Sequence, residues 1–294
     1  MNLIDNFKQT YKQGNAAIRL IYINVTVYLV LHIFLILMKL FTLQGDFIIS
    51  YLALPSSLNL LLFKPWTLVT YMFLHQDFFH ILFNMFALYW FGKLFLMFFT
   101  EKQLFGLYFF GGLTAGVVYV LAYNIFPLFS QIAEISILMG ASGSIMAIIV
   151  ASALQAPNLE MRFLLLGAVK LKYIAIAAIL ISFFGITSSN AGGELAHLGG
   201  ALYGYFFVVS LRRGKDHTRS FNRLMDALHN LFQTKKLKVK HNASSAKKMS
   251  DAEFNVRKAK NMAEIDRILD KIKTSGYGSL TSEEKRKLFE QGNG

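Results

Sequence analysis

Met139-Gly140-Ala141-Ser142-Gly143-Ser144, running straight into Ile145-Met-Ala-Ile-Ile-Val-Ala-Ser-Ala153, is the stretch on which the reading of this chain turns. A polar loop precedes it, and with its flanks the small, apolar run is long enough to enter a membrane as a helix. Glycine has no Cβ, so a serine set between Gly140 and Gly143 at the mouth of a buried helix can meet a backbone or a substrate without obstruction. Small residues in membrane helices also serve close packing. Both readings of Ser142 stay open until a base is found for its hydroxyl.

Further along stands Gly192-Gly-Glu-Leu-Ala-His197-Leu-Gly-Gly200-Ala-Leu-Tyr-Gly204, inside an apolar segment that reaches about Leu211. An ionisable residue in a membrane span is costly and is a functional candidate. Ala196, His197, Gly200 and Gly204 are spaced to share one helix face. That narrow stripe lets a neighbouring helix approach closely. If the neighbour begins at Ser142, the imidazole can take the hydroxyl proton, the usual activation of a weak serine nucleophile. No Asp or Glu plainly orients the imidazole in this reading, so the expected arrangement is a dyad.

Composition supports a membrane body. Of the 294 residues 54% are hydrophobic, 28 are Phe, and mean hydropathy is +0.44, too apolar for an ordinary soluble domain. Charge is unevenly placed: ten Lys/Arg against seven Asp/Glu lie in residues 1–211, and twenty against ten in residues 212–294. The net +13 therefore belongs mostly to the tail. With no cysteine, disulfides and thiolate chemistry are excluded. The polar first residues and a long first apolar run without a small-residue cleavage pattern point away from a cleavable signal peptide.

The chain reads as four parts: an N-terminal segment (1–17), a six-span body (18–211), a basic linker (212–250) and a C-terminal helical segment (251–294). Spans are expected near 18–38, 78–99, 104–125, from Ser142 to about 156, 171–186, and from about Glu194 to 211. Between the first two, Gly45, Asp46, Pro55, Lys64 and Pro65 interrupt the apolar chain too often for a span. A long membrane-associated loop with short helices is expected there, with Trp66 and Tyr71 at the interface. The second span opens with His75-Gln-Asp-Phe-Phe-His80-Ile-Leu-Phe-Asn84. His80 and Asn84 are four apart and point the same way. They suit either an interhelical hydrogen bond or donors aimed at an anion that develops in a reaction. A metal site from His75, Asp77 and His80 is not expected, since the histidines fall on different faces and no further ligands cluster nearby. Asn158 to Arg162 reads as a polar turn.

Lys8, Lys12, Lys102, Arg162, Lys170, Lys172, Arg212, Arg213 and Lys215 would all lie on one side, against Lys39 and Lys64 on the other. The positive-inside rule makes the first side cytoplasmic. Both termini are then cytoplasmic, and the openings near Ser142 and His80 face outward. In the tail, Ser250-x-x-Glu253 and Thr281-x-x-Glu284 read as capping boxes, with Ile265, Ile268, Leu269 and Ile272 as an apolar stripe. The basic tail is expected to contact anionic lipid headgroups. No nucleic-acid recognition motif is present.

With Ser142, His197, His80 and Asn84 in view, residues 18–211 resemble the rhomboid intramembrane serine proteases. The motifs that carry the resemblance are His80-x-x-x-Asn84, Gly140-x-Ser142-Gly143 and Ala196-His197-x-x-Gly200-x-x-x-Gly204, in that order in a six-span chain. The resemblance implies an all-α, polytopic six-helix bundle with a long membrane-associated first loop. It implies Ser142 as nucleophile, His197 as base, and the Ser142 N–H with His80 and Asn84 around the oxyanion. His75, Gly140, Gly143 and Gly200 become structural neighbours of the site, and no cofactor or metal is called for. It also implies transmembrane protein substrates, a bacterial inner-membrane location, and a mobile element made of the fifth span and the loop before the sixth. Two departures stand out. Thr67 follows Trp66 where arginine is common, and Leu96 and Met97 stand where a glutamate commonly follows the glycine matched by Gly92. Both concern anchoring more than chemistry. A non-catalytic rhomboid-like binder of membrane clients is the alternative. A transporter with His32, His80 and His197 as a proton path ranks last, because no inverted repeat or broken-helix pair is evident.

Overall fold

A computed structural model describes residues 9–11, 13–163, 167–219, 221–223, 227 and 251–292. The expectations for Lys8, Lys12, Ser250 and most of the basic linker lie outside them. The chain divides into two units, Met1–Gln233 and Thr234–Gly294.

In the first unit, α1 (Ala16–Leu40) starts at Asn15, whose side chain accepts the Ile18 N–H at 3.1 Å. The connection that follows holds α2 (Phe47–Leu52), β1 (Leu54–Pro55), α3 (Leu58–Phe63) and α4 (Thr67–Thr70). These are the short helices expected from the interrupted sequence. Leu62, Phe63 and Phe47 are exposed apolar residues, as a lipid-facing loop requires. Next come α5 (Phe78–Phe95), capped by Asp77, and α6 (Glu101–Ile125). α6 begins earlier than expected because Thr100 and Gln103 form a capping box. β2 (Ile137–Leu138) leads to α7 (Ser142–Gln155).

β1 and β2 pair antiparallel, Leu54 opposite Leu138 and Pro55 opposite Ile137. This bridge ties the first loop to the approach to Ser142. No local signal in two such short segments could have announced it. After α7, the expected polar turn at Asn158–Arg162 is instead part of a hairpin: β3 (Glu160–Phe163) pairs with β4 (Gly167–Lys170), Glu160 opposite Lys170. Backbone groups leaving a membrane helix still need partners, and the ladder supplies them. α8 (Leu171–Phe184) and α9 (Ala191–Arg212) complete the body.

α7 is the hub. Ten of its 14 residues are buried, and it packs against α5, α6, α8 and α9. Glycines permit this. A Cβ on Gly111 would lie 2.6 Å from the Ala147 Cβ, and one on Gly112 2.5 Å from the Ser144 Oγ. One on Gly200 or Gly204 would collide with the backbone carbonyls of Gly143 or Ala147. Small faces thus let α6 and α9 close directly on α7, as expected where lipid offers no hydrophobic drive between helices. A second tie is polar: buried Asn24 donates to Tyr108 Oη at 3.1 Å, and Tyr108 donates to the Met72 carbonyl at 3.0 Å.

Among the described residues three helices are long and apolar enough to cross a membrane: Ala16–Leu40, Phe78–Phe95 and Glu101–Ile125. α7, at 14 residues, rises only about 21 Å at about 1.5 Å per residue. The hydrocarbon core is about 30 Å thick. Being wrapped by other helices, α7 need not span it. Its N-terminus can therefore sit below the membrane surface, where irregular backbone is tolerated only beside protein or water.

In the second unit, α10 (Asp251–Ser275) and α11 (Ser282–Gly292) are joined at Gly276, which has φ +74. The capping box at Thr281 is formed: its N–H donates to Glu284 Oε2 at 2.7 Å, and the Glu284 N–H donates to Thr281 Oγ1 at 3.3 Å. The Thr281 N–H, with Lys271 at 3.0 Å, holds the Glu284 carboxyl down at about 2. Ile268 is buried and Ile265 and Ile272 half-buried, but Leu269 is 49% exposed. The stripe is therefore narrower than its spacing suggested, because a single partner helix covers only part of a helix face.

Candidate active site

Ser142 is the first residue of α7, and the Gly140-Ala141 pair delivers the chain to it. Gly140 has φ +128, a backbone region that side chains rarely adopt. Its N–H donates to the Tyr71 carbonyl at 3.0 Å, which anchors the turn to the first loop. A Cβ on Gly140 would lie 2.9 Å from His80 Nε2 and 3.7 Å from Ser142 Oγ. The glycine therefore serves both the turn and the approach of the imidazole.

Ser142, His197, His80 and Asn84 all line one cavity of about 400 Å³, together with Met139 and Tyr123 among others. Four residues from three sequence stretches, read as one set, are thus brought together. Their supports differ. His80 and Asn84 lie on the first two turns of α5, which Asp77 caps by accepting the His80 N–H at 2.9 Å. The Gln76 N–H points at His80 Nδ1 at 3.5 Å, so Nδ1 is the acceptor and Nε2, toward Gly140, carries the ring proton. The Asn84 amide donates to the His80 carbonyl at 2.8 Å, and its Oδ1 is buried without a partner among the described residues. His197 stands on α9, which meets α7 where Gly200 approaches the Gly143 carbonyl, one residue past Ser142.

His75 is not at the cavity wall. It is 2% exposed, lies edge-on to the His80 ring at 5.1 Å between centroids, and has no hydrogen-bond partner among the described residues. Burial, with His80 beside it, lowers its pKa to about 4. A neutral ring behind His80 packs without adding charge. His32 does not line the cavity; its ring nitrogens lie 3.0 Å from the Tyr28 carbonyl and 3.3 Å from the carbonyl of Gln76, which does. Trp66 Nε1 donates to the Tyr51 carbonyl at 2.9 Å. Thr67, at the first departure from the family pattern, is buried and donates to the Lys64 carbonyl at 2.6 Å. Among the described residues no group of three or more His, Cys, Asp or Glu could hold a metal ion.

One expectation is overturned. An acid does stand by the imidazole: Glu194 Oε2 is 3.3 Å from His197 Nδ1. The reason is the helix start. α9 begins at Ala191, so Glu194 is already within its first turn, and residues three apart share a face. Reading the helix as starting near Glu194 hid that relation. Ser182 of α8, with its Oγ 3.1 Å from the same nitrogen, carried no signal in the sequence, since only the packing of α8 on α9 brings it there.

The model of the Rhomboid domain matches residues 63–214, just over half of the chain, and that of a family of unknown function (DUF6576) matches residues 249–291. No curated protein matches the chain. A helical bundle wrapped around a short central helix, together with that match, makes this chain an integral membrane protein that belongs to the rhomboid family.

Proposed function

We propose that this protein is an intramembrane serine endopeptidase that cuts peptide bonds in or near the transmembrane segments of other membrane proteins. The observation that carries the reading is the shared cavity: Ser142 and His197 line it together with two donors, His80 and Asn84. Ser142 Oγ attacks the scissile carbonyl carbon while His197 Nε2 takes the hydroxyl proton. The carbonyl oxygen, now negative, receives hydrogen bonds from the Ser142 backbone N–H, His80 Nε2–H and the Asn84 amide. On collapse the C–N bond breaks and His197 returns the proton to the leaving amine. Water then attacks the acyl-serine, giving its proton to His197, and the new carboxylic acid leaves as Ser142 is restored. A substrate helix must unwind locally to expose its carbonyl, because helical carbonyls are already bonded. Small or helix-breaking residues near the scissile bond are therefore favoured. We assign the chain to a bacterial inner membrane, with both termini cytoplasmic and the cavity facing outward, on the Lys/Arg asymmetry and the family.

The test is labelling of the purified, detergent-solubilised protein with a fluorophosphonate. Wild type should label and Ser142→Ala and His197→Ala should not. Equal labelling of the Ser142→Ala variant would refute the nucleophile. A folded but unlabelled wild type would favour a binder of membrane clients.

A further inference from the structure

Two neighbours of His197 have no part in the reaction as written. Glu194 Oε2 lies 3.3 Å from Nδ1, with the carboxylate side chain 16% and the imidazole 22% exposed. Ser182 Oγ lies 3.1 Å from the same nitrogen, on a residue 2% exposed that comes from α8 rather than α9. Gly185, one residue past α8, leaves the space in which the acid sits: a Cβ there would lie 2.8 Å from Glu194 Cγ. An ionised carboxylate can only accept a hydrogen bond, so the ring nitrogen facing it must carry the proton. That leaves the lone pair on Nε2. A hydroxyl alone could not decide the matter, since it donates to a bare Nδ1 as readily as it accepts from Nδ1–H. The ionisable residues that line the cavity with His197 are His80 of α5 and Tyr123 of α6; α7 brings Ser142 and no ionisable group. Glu194 is thus the negative charge beside the imidazole.

We propose that Glu194 and Ser182 are positioning residues for His197: the carboxylate keeps the proton on Nδ1 and so leaves Nε2 as the base, and the hydroxyl ties α8 into the same arrangement. The inference rests on the Ser142–His197 reading above and turns that pair into a relay with an acid behind it. The acid interacts most strongly with the imidazolium, which exists only after Ser142 has given up its proton. Its loss should therefore slow the chemical step and leave binding alone.

The test uses the full chain in detergent micelles as wild type, Glu194→Gln, Glu194→Asp and Ser182→Ala, each checked for folding by its melting temperature. Saturation kinetics of fluorophosphonate labelling separate the maximal rate kinact from the half-saturating concentration KI. ¹⁵N-histidine NMR, with the His197 signals identified by their loss in His197→Ala, reads the tautomer directly. Glu194→Gln should lower kinact by about 10–100-fold, the scale on which outer partners of a functional histidine act, with KI unchanged. Glu194→Asp should recover most of the rate, and Ser182→Ala should lose a smaller factor. Wild-type NMR should show the Nδ1–H tautomer, and Glu194→Gln a mixture. A wild-type kinact in Glu194→Gln, a change confined to KI, or an Nε2–H tautomer in the wild type would each overturn the proposal. If the wild type shows the Nδ1–H tautomer yet does not label, the positioning role stands and the protease reading is what fails.

Discussion

At Gly140 the backbone conformation and the neighbouring imidazole impose one demand: no side chain. Its φ is +128, and a Cβ would lie 2.9 Å from His80 Nε2. Holding a non-glycine residue in such a region costs on the order of 1–3 kcal/mol. Relief by moving His80 would withdraw a donor from the proposed oxyanion site. Gly140→Ala should therefore reduce fluorophosphonate labelling by at least about 10²-fold, the lower bound for loss of one oxyanion donor, while the protein still folds. Near-wild-type labelling of the folded variant would show that His80 does not act there. At this scale the sequence singled out Ser142 and His197, which line one cavity. It was silent on Ser182, whose meaning comes from a ring one helix away.

Among the elements, the seam between α7 and α9 is where the helices that carry Ser142 and His197 meet. It exists because Gly143 and Gly200 let two backbones meet, and any Cβ at residue 200 collides with the Gly143 carbonyl. Gly200→Ala forces the helices apart and should cost about 1–3 kcal/mol, as overpacking does. It should also lengthen the Ser142–His197 reach enough to abolish labelling. Gly278→Ala is the control: a Cβ there would meet no atom within 4 Å, and the residue's φ is not in the left-handed region, so its melting temperature and labelling should match wild type. A Gly200→Ala protein as stable and as reactive as wild type would remove the seam from the argument. The glycine stripe itself was legible from its spacing. The start of α9 was not, and three residues of difference concealed Glu194.

For the whole molecule, the charge asymmetry makes a prediction about sidedness. The chain lacks cysteine, so single cysteines report position without background. In intact cells, Asp46→Cys in the exposed first loop should react with a membrane-impermeant maleimide. Lys215→Cys, beyond the end of α9, should react only after the inner membrane is opened. The reverse pattern would place the cavity on the cytoplasmic side and overturn the proposed orientation.

The sequence by itself determined the membrane body, the apolar helices, the interrupted first loop, the capping box at Thr281 and four of the side chains that line the cavity, His80, Asn84, Ser142 and His197. These follow from local quantities: hydropathy over about 20 residues, spacing along one helix, and the side chains themselves. Tertiary structure alone decided that α7 is the wrapped hub, that β1 meets β2, that the chain after α7 makes a hairpin, and that Glu194 and Ser182 share one nitrogen of His197. Most of those facts depend on which faces of separate elements meet, and the rest on where a helix starts or a turn closes. In lipid, where apolar surface does not choose its partner, the absence of a side chain at Gly143, Gly200 and Gly204 makes that choice by permitting one close approach.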